Sequence, residues 1–167
     1  ESLPWGSTRC LREDLINPNL LYLGTEFAFW ISIDRGQNWT QLGLAGKAVL
    51  SLAFDSYGNL LAGTLKDGLF KTTDMGKTWT QHQNGLYRKQ VFRLKMNDND
   101  DIFIGSEDEG IFRSVNNGES FEQIGLPTSK VNNFVFSGDS LIFSSTPSGV
   151  QKYNRLTKKW TNLGLHQ

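Results

Sequence analysis

Short apolar runs separated by turn residues recur along the whole chain, and none of them has the spacing of an amphipathic helix. In the second of four similar units, these runs predict strands at residues 49–54, 60–64, 68–73 and 78–82, joined by Gly, Asn and Asp turns that are typical of successive hairpins. Alternation of apolar and polar residues is imperfect in VLSLAF and in the equivalent runs VFRLKM and VNNFVF. Such runs are typical of strands that are packed on both faces.

Two independent sequence marks repeat with one period. The first is a small residue followed by a hydroxyl-bearing residue, at separations of 39, 42 and 39 residues: Gly24-Thr25, Gly63-Thr64, Gly105-Ser106 and Ser144-Ser145. The second is an aromatic residue, at separations of 40, 42 and 39 residues: Trp39, Trp79, Phe121 and Trp160. A period of this length is typical of four-stranded propeller blades. The sequence therefore predicts an all-β fold, a single β-propeller or partial propeller over residues 1–167, with antiparallel four-stranded blades at about 5–44, 45–86, 87–126 and 127–167.

The aromatic mark closes a longer motif of the form Ser/Thr-x-Asp-x-Gly-x-x-Trp. The copies are SIDRGQNW at 32–39, TTDMGKTW at 72–79, the weaker SVNNGESF at 114–121 and the remnant YNRLTKKW at 153–160. The acid can accept hydrogen bonds within its own turn, the glycine can supply a positive φ, the hydroxyl can bind nearby backbone, and the ring can fill the gap between adjacent sheets. We therefore predict a structural hairpin staple, and the alternative is that Asp34 and Asp74 are catalytic carboxylates or metal ligands. The predicted structural residues are Ser32, Asp34, Gly36, Trp39, Thr72, Asp74, Gly76, Trp79, Ser114, Asn116, Gly118, Phe121 and Trp160.

These copies resemble the Asp-box, or bacterial neuraminidase repeat, of sialidases, sortilin-type domains, xyloglucan-cleaving hydrolases and photosystem assembly factors. The resemblance covers nearly the whole chain, although Asn116 and Phe121 replace the acid and the tryptophan of the third copy, and Arg155 and Thr157 replace the acid and the glycine of the fourth. It implies that the boxes lie at the outer rim, between the third and fourth strands of each blade and away from the active face.

Propellers of this family usually have six or more blades, so four blades imply a small closed ring, a fragment, or chains that complete one another's ring. The first unit, LINPNLLYLGTEFAFWISIDRGQNWTQL, resembles the sortilin-like and hydrolase-like branch, whereas the other units resemble plainer bacterial arrays. The chain is therefore either a protein with divergent repeats or a mosaic, natural or engineered. Because an open array would expose apolar blade faces, we expect a homo-oligomer rather than a monomeric ring.

Charge and hydropathy narrow the list of partners. The 17 Lys and Arg residues balance the 17 Asp and Glu residues, which argues against general electrostatic binding to nucleic acid or to an anionic membrane. No apolar stretch approaches the roughly 18 residues of a membrane-spanning helix. The start, ESLPWGSTRC, does not resemble a signal peptide. We expect a soluble protein, and the family resemblance implies a secreted or periplasmic one.

The residues that most often carry chemistry give weak signals here. Cys10 is the only cysteine, so no intrachain disulfide is expected, and its thiol is predicted to pack as a small apolar group. The histidines, His82 and His166, form no motif. The run from Asn97 to Asp101 is rich in oxygen ligands but lacks the glycine and the distal glutamate of a calcium loop, so we predict a solvated turn and leave weak calcium binding open to test. No catalytic residue, cofactor or metal ligand is predicted.

A ligand would be expected opposite the boxes. The turns between the second and third strands of each blade and the links between blades emerge there, and we call this surface the loop face. An aromatic cluster in the first unit, including Phe29 and Trp30, could stack on a sugar or peptide or could pack between blades. The candidate ligand residues are Glu26, Phe29, Lys66, Asp67, Arg88, Glu107, Asp108 and Glu109, and the links add Lys47, Lys89 and Lys130.

Three classes of function fit these observations. The leading one is a non-catalytic scaffold or interaction module that completes its ring by self-association and could bind a carbohydrate or a peptide. The second is a carbohydrate-binding or glycoside hydrolase propeller of sialidase or xyloglucanase type; of the arginines, however, only Arg9, Arg12 and Arg93 fall in predicted inner strands, and no sialidase signature surrounds them. The third is a purely structural array without a ligand. We predict that the chain is not an enzyme.

Overall fold

The computed structural model describes residues 7–86, 89–126, 129–138 and 141–164, and its regular structure is entirely strand. Sixteen strands form four antiparallel sheets of four strands, and each sheet takes four consecutive strands. The predicted all-β fold of four-stranded blades is therefore confirmed. Among the described residues, no helix has the length and apolarity needed to cross a membrane.

The blades follow one another in chain order. Blade 1 consists of β1 (Thr8–Glu13), β2 (Leu21–Thr25), β3 (Phe29–Ser32) and β4 (Thr40–Gln41). Blade 2 consists of β5 (Val49–Phe54), β6 (Leu60–Thr64), β7 (Leu69–Thr72) and β8 (Thr80–His82). Blade 3 consists of β9 (Arg93–Met96), β10 (Ile102–Gly105), β11 (Ile111–Ser114) and β12 (Glu122–Gly125). Blade 4 consists of β13 (Asn133–Ser137), β14 (Leu141–Thr146), β15 (Gly149–Asn154) and β16 (Lys159–Asn162).

The first strand of each blade lies at the inner edge of its sheet, where β1 contacts β5 and β5 contacts β9. The second strands of blades 2 and 3 are their most buried strands, and every residue of β6 and β10 is buried. Blades on both sides of these strands explain why their apolar pattern does not alternate.

The hydrophobic core lies between blades rather than within them. One cluster joins blades 1 and 2, a second joins blades 2 and 3, and a third joins blades 3 and 4. Representative pairs across the three junctions are Phe29 with Phe70, Leu69 with Phe112, and Phe103 with Phe134. Each junction therefore buries one face of a blade against the opposite face of the next blade.

Glycines in the second strands permit this close approach. A Cβ atom on Gly63 would lie 2.3 Å from Val91 Cγ1 of the next blade, and one on Gly105 would lie 2.7 Å from Val131 Cγ1. The pairing of β13 with β14 places Ser145, not Ser144, at the equivalent position of blade 4. The fourth copy of the first sequence mark is therefore corrected to Ser145-Thr146, because strand register rather than similarity of letters defines equivalence.

Candidate functional site

Each complete box forms a hydrogen-bonded turn between the third and fourth strands of its blade. Thr72 Oγ1 donates to Asp74 Oδ1 at 2.7 Å and accepts from the Gly76 amide at 2.9 Å. Asp74 Oδ2 accepts from Thr78 Oγ1 at 2.6 Å, and Asp74 Oδ1 accepts from the Thr78 amide at 2.9 Å. The hydroxyl of Thr78, then its amide, then the hydroxyl of Thr72 lower the pKa of Asp74 to about 2. The acid thus uses its acceptor oxygens within its own turn.

The first and third boxes repeat this geometry. Ser32 Oγ donates to Asp34 Oδ1 at 2.8 Å, and Ser114 Oγ donates to Asn116 Oδ1 at 2.8 Å. Asn116 can replace the acid because its amide oxygen also accepts from the Ser120 amide, at 3.0 Å. The glycines have the expected positive φ, 87° at Gly36, 94° at Gly76 and 87° at Gly118.

The fourth segment makes a different turn. Asn154 Oδ1 accepts from the Thr157 amide at 3.0 Å. Arg155, at the position of the acid, donates to Asp101 Oδ2 of blade 3 at 2.8 Å. The buried Asp101 carboxylate also accepts from Arg113 Nη2 at 2.7 Å. This segment therefore joins blades 3 and 4 through a carboxylate that two arginines share.

The box aromatics pack towards the preceding blade. The Trp79 ring meets Phe29 of blade 1 edge to face, with ring centroids 5.1 Å apart. Phe121 is buried in the core between blades 2 and 3. Trp160 Nε1 donates to the Ile124 carbonyl of blade 3 at 2.9 Å. These rings therefore occupy the gaps between sheets, as the motif predicts.

Trp39 is the exception, because it faces the outer side of blade 1 and, among the described residues, its hydrophobic cluster comes from its own blade. Leu11 on the same side is 52% exposed, whereas Leu52, Leu94 and Phe134 at the equivalent positions are buried. We call this side of blade 1 the front face; it comprises the exposed Leu11 and the partly exposed Trp39, together with the buried Leu23 and Trp30.

Blade 4 has a corresponding outer surface. Val135 is 51% exposed, whereas Ala53 at the equivalent position of blade 2 is buried. Phe143 is partly exposed, although the equivalent Phe103 is fully buried. We call this surface the back face; it comprises Val135, Phe143, Ser145 and Val150, and they line a shallow cavity of about 240 Å³.

Most candidate charges on the loop face are paired with one another. Three pairs join a link between blades to a hairpin turn: Lys47 with Asp67 at 3.1 Å, Lys130 with Glu107 at 2.9 Å, and Lys89 with Glu109. The fourth pair, within blade 1, joins Arg9 of β1 to Glu26 in the turn after β2. Asp108 accepts from Ser106 Oγ at 3.3 Å, and Lys66 is exposed. Arg88 lies outside the described residues. The paired charges balance, so this surface offers no strong field of either sign.

The aromatic cluster of blade 1 divides between core and surface. Phe29 is fully buried in the junction with blade 2, and Trp30 is buried on the opposite side of the strand. The prediction of Phe29 as a ligand residue is therefore wrong, because its side chain is inaccessible, whereas Phe27 is 60% exposed in the turn before β3. Phe27 and Phe92 border a cavity of about 410 Å³ together with Glu26. Phe92 was not predicted because it immediately precedes β9 and gives no turn signal of its own.

Two of the three acids in the run from Asn97 to Asp101 are hydrogen-bonded to other parts of the protein. Asp101 holds the two arginines described above, and Asp100 Oδ1 accepts from the Ser56 amide at 3.0 Å. Asn97 Oδ1 accepts from the Asp101 amide at 2.8 Å. Within the described ranges, no group of three or more His, Cys, Asp or Glu side chains suits a metal ion. The geometry is that of a structural turn.

A second recurring turn cap escaped the sequence analysis. Asp14, Asp55 and Asn97 each follow the first strand of their blade and accept backbone amides of the next turn, as in the 2.8 Å bond from Asn59 to Asp55. The available signal was an Asp or Asn at one position of three units, which turn chemistry favours.

Cys10 packs as predicted. Its Sγ lies 3.7 Å from the Val49 carbonyl of blade 2, and burial raises the pKa of the thiol to about 12.

Four consecutive four-stranded antiparallel sheets, packed face to face around common inner strands, define a β-propeller module. Neither a family model nor a curated relative matches the sequence. Among solved structures, the chain is similar to an ancestral GH74 enzyme, with a TM-score of 0.78 and 14% identity over 95% of this chain. The extracellular domain of a one-component system from B. thetaiotaomicron has a TM-score of 0.78 at 18% identity over 100% of this chain.

YCF48 bound to a D1 peptide has a TM-score of 0.68 at 14% identity over 98% of this chain. The chain spans 26%, 24% and 55% of the lengths of these three structures, in the order given. At these identities the similarity establishes the propeller fold and nothing finer.

Proposed function

We propose that the chain is a non-catalytic Asp-box β-propeller module that binds a second copy of itself and presents its loop face to a ligand. The observation that carries this proposal is the exposure of Leu11 on the front face and the partial exposure of Phe143 on the back face, because the residues at the equivalent positions of the other blades are buried. Apolar surface that the rest of the chain buries favours association when it is exposed.

The internal junctions indicate which surface fits which. In each of them the back side of one blade receives the front side of the next, with a box aromatic filling the gap. The back face of one copy therefore fits the front face of another copy, which would receive Trp39. Two such contacts between two copies close a twofold ring of eight blades, which lies within the range of known propellers.

Two residues, Ser145 and Thr8, distinguish the proposed junction between copies from the internal junctions. Ser145 stands where three blades have glycine, and Thr8 stands where the next blades have Val49, Val91 and Val131. Serine needs room that the internal junctions do not have, because a Cβ at the equivalent Gly63 would lie 2.3 Å from valine. The contact between copies is therefore wider and more polar at its inner edge. Ser145→Gly combined with Thr8→Val should strengthen association.

The ion pairs and hydrogen bonds of the Asp and Glu side chains support a non-catalytic function. Glycoside hydrolysis needs two carboxyl groups beside the scissile bond. On the loop face, Glu26, Asp67, Glu107 and Glu109 each hold a cation. The box acids Asp34 and Asp74 are bound within their turns at the opposite side. Hydrolysis of xyloglucan or of a sialoside by the purified chain would contradict this part of the proposal.

The exposed Phe27 beside Phe92 supports a ligand that stacks on aromatic rings, such as a carbohydrate or a peptide. GH74 enzymes and a peptide-bound YCF48 among the similar structures agree with either class. The extracellular neighbour from B. thetaiotaomicron supports a secreted or periplasmic location.

Association can be tested by placing a charge on the back face. Val135→Glu should reduce the molar mass measured by light scattering to that of one chain, because a carboxylate would be buried without a partner in the contact. Leu156→Glu, in the exposed turn of the fourth segment, is the matched control and should leave the mass unchanged. Equal masses for the two variants would contradict the proposed contact.

A further inference from the structure

The inner strands border an open cavity of about 410 Å³ that adjoins the cavity at the loop face. Its walls come from β1, β5 and β9 and from Asn133 of β13. The lining includes the partly exposed Leu50, together with Leu52 and Leu94, whose side chains are buried in the junctions between blades. Its polar members are Ser51, Asn133 and four cationic residues. Arg12, Arg93 and Lys95 are its charged members beyond Arg9, which is held by Glu26.

Two of these cations are fixed by backbone of the neighbouring blade. Arg12 Nε donates to the Leu52 carbonyl at 3.0 Å, and Arg93 Nε donates to the Asn132 carbonyl at 2.8 Å. These bonds hold the planar groups in place and leave Nη2 of each guanidinium without a protein acceptor in the described part of the chain. Guanidinium groups held in this way are preorganised to donate to an oxyanion.

Lys95, in blade 3, lies at the position equivalent to Arg12 in blade 1. Its Nζ lies 5.7 Å from the centroid of the Phe134 ring and makes no ion pair with any described carboxylate. Burial and the positive charges of Arg12 and Arg93 lower the pKa of Lys95. The protein therefore holds like charges close together in a partly desolvated space.

This arrangement contrasts with the other half-buried cations. Six of them have a carboxylate partner: Lys47, Lys71, Lys89, Lys130, Arg113 and Arg155. A chain with equal numbers of acids and bases has carboxylates for its folded interior, yet none is placed in the described lining of this cavity. Uncompensated like charges weaken the fold, and such concentrations of one sign are typical of binding sites for the opposite charge.

We propose that Arg12, Arg93 and Lys95 form a binding site in the central cavity for a small organic anion that carries two or more oxyanion groups. The guanidiniums bind these groups by charge-assisted hydrogen bonds, the ammonium adds a third positive charge, and the partly exposed Leu50 contacts the carbon skeleton. The volume admits a molecule of metabolite size. This site does not depend on association of two copies.

Isothermal titration calorimetry and thermal unfolding of the full chain test the proposal. Citrate represents the carboxylate source, pyrophosphate represents the phosphate source, and glucose is the neutral control, all at one ionic strength. At least one anion should bind with measurable heat and raise the melting temperature, and glucose should do neither. If neither anion produces heat or a shift, the proposal is overturned.

The variants Lys95→Met and Lys77→Met distinguish a specific binding site from a general effect of positive charge. Lys95→Met should weaken anion binding about tenfold or more, because a charged hydrogen-bonding partner is lost. Lys77→Met removes the same charge from the exposed turn of the second box and should leave anion binding unchanged. Equal losses in both variants would overturn the proposal.

Two further readouts exclude loss of structure as the cause. Without anion, Lys95→Met should melt at or above the temperature of the unmodified chain, because like-charge repulsion is relieved. Arg12→Gln provides a second variant, which should also weaken binding. Lys95→Met should keep the same molar mass, so failure of this site and failure of association are distinguishable.

Discussion

Replacing Trp79 by alanine tests whether the box aromatics hold neighbouring blades together. The ring packs edge to face on Phe29 of blade 1, and its Nε1 donates to the Gly76 carbonyl at 2.9 Å. Trp39 offers a matched comparison, because its Nε1 makes the same bond to Gly36 at 3.1 Å. The described hydrophobic partners of Trp39, however, all belong to its own blade. The difference between the two substitutions therefore isolates the contact between blades.

The expected magnitude follows from burial. Trp→Ala at a fully buried site costs about 3–5 kcal/mol, and Trp79 is partly exposed, so we expect a loss of about 3 kcal/mol in the free energy of unfolding. Trp39→Ala loses a similar hydrogen bond, worth about 1 kcal/mol, and some packing within the blade. Its expected cost is about 1–2 kcal/mol.

The assay is urea unfolding followed by far-ultraviolet circular dichroism and, independently, by hydrodynamic radius. Two probes are needed because repeat arrays can unfold stepwise, and only coincident transitions justify a single free energy. Both substitutions should be made in the Val135→Glu background, so that a second copy does not cover Trp39. Equal losses for Trp79→Ala and Trp39→Ala would refute the role of the aromatic ring in joining blades.

Three further predictions concern the glycine contacts, the box acid and the thiol. Gly63→Ala should cost about 1–3 kcal/mol in thermal unfolding, because its Cβ would overlap Val91, whereas Ser145→Ala on the back face should cost less than about 0.5 kcal/mol; equal costs would contradict the close approach of blades. Because the pKa of Asp74, about 2, lies below its ordinary 3.8, its carboxylate stabilises the fold above pH 3.8, and this contribution is lost as the pH falls towards 2. In Asp74→Asn, the urea concentration at the midpoint of unfolding should therefore depend less on pH between 3.8 and 2. The same pH dependence as in the unmodified chain would contradict this role of the carboxylate. Cys10, with a pKa of about 12, should react with iodoacetamide in mildly alkaline buffer far more slowly in the folded chain than in urea, and equal rates would contradict its burial.

The strands could be predicted from sequence because each apolar run and turn recurs at the same register. In blade 2, β5 (Val49–Phe54) and β6 (Leu60–Thr64) have the predicted bounds, and β7 (Leu69–Thr72) and β8 (Thr80–His82) are shorter than predicted. The turns of the boxes were also predictable, because Ser/Thr, Asp and Gly act within a few residues of one another.

Contacts between blades were harder to predict. Phe29 could be assigned to the surface because both faces of a blade are buried, so apolar pattern alone does not show which side a residue faces. The central cations were equally obscure, since Arg12 and Arg93 lie on separate blades and meet only when the inner strands gather around one cavity. Arg155 was treated as a defect of the fourth box, but it bridges to Asp101 of another blade.

The central claim is that the front and back faces of this propeller bind a second copy. Light scattering on a size-exclusion column, across a range of protein concentrations, tests it most directly. The account predicts a discrete species of twice 18.8 kDa that converts to the single chain on dilution or in Val135→Glu. A constant mass of 18.8 kDa at every concentration would contradict it.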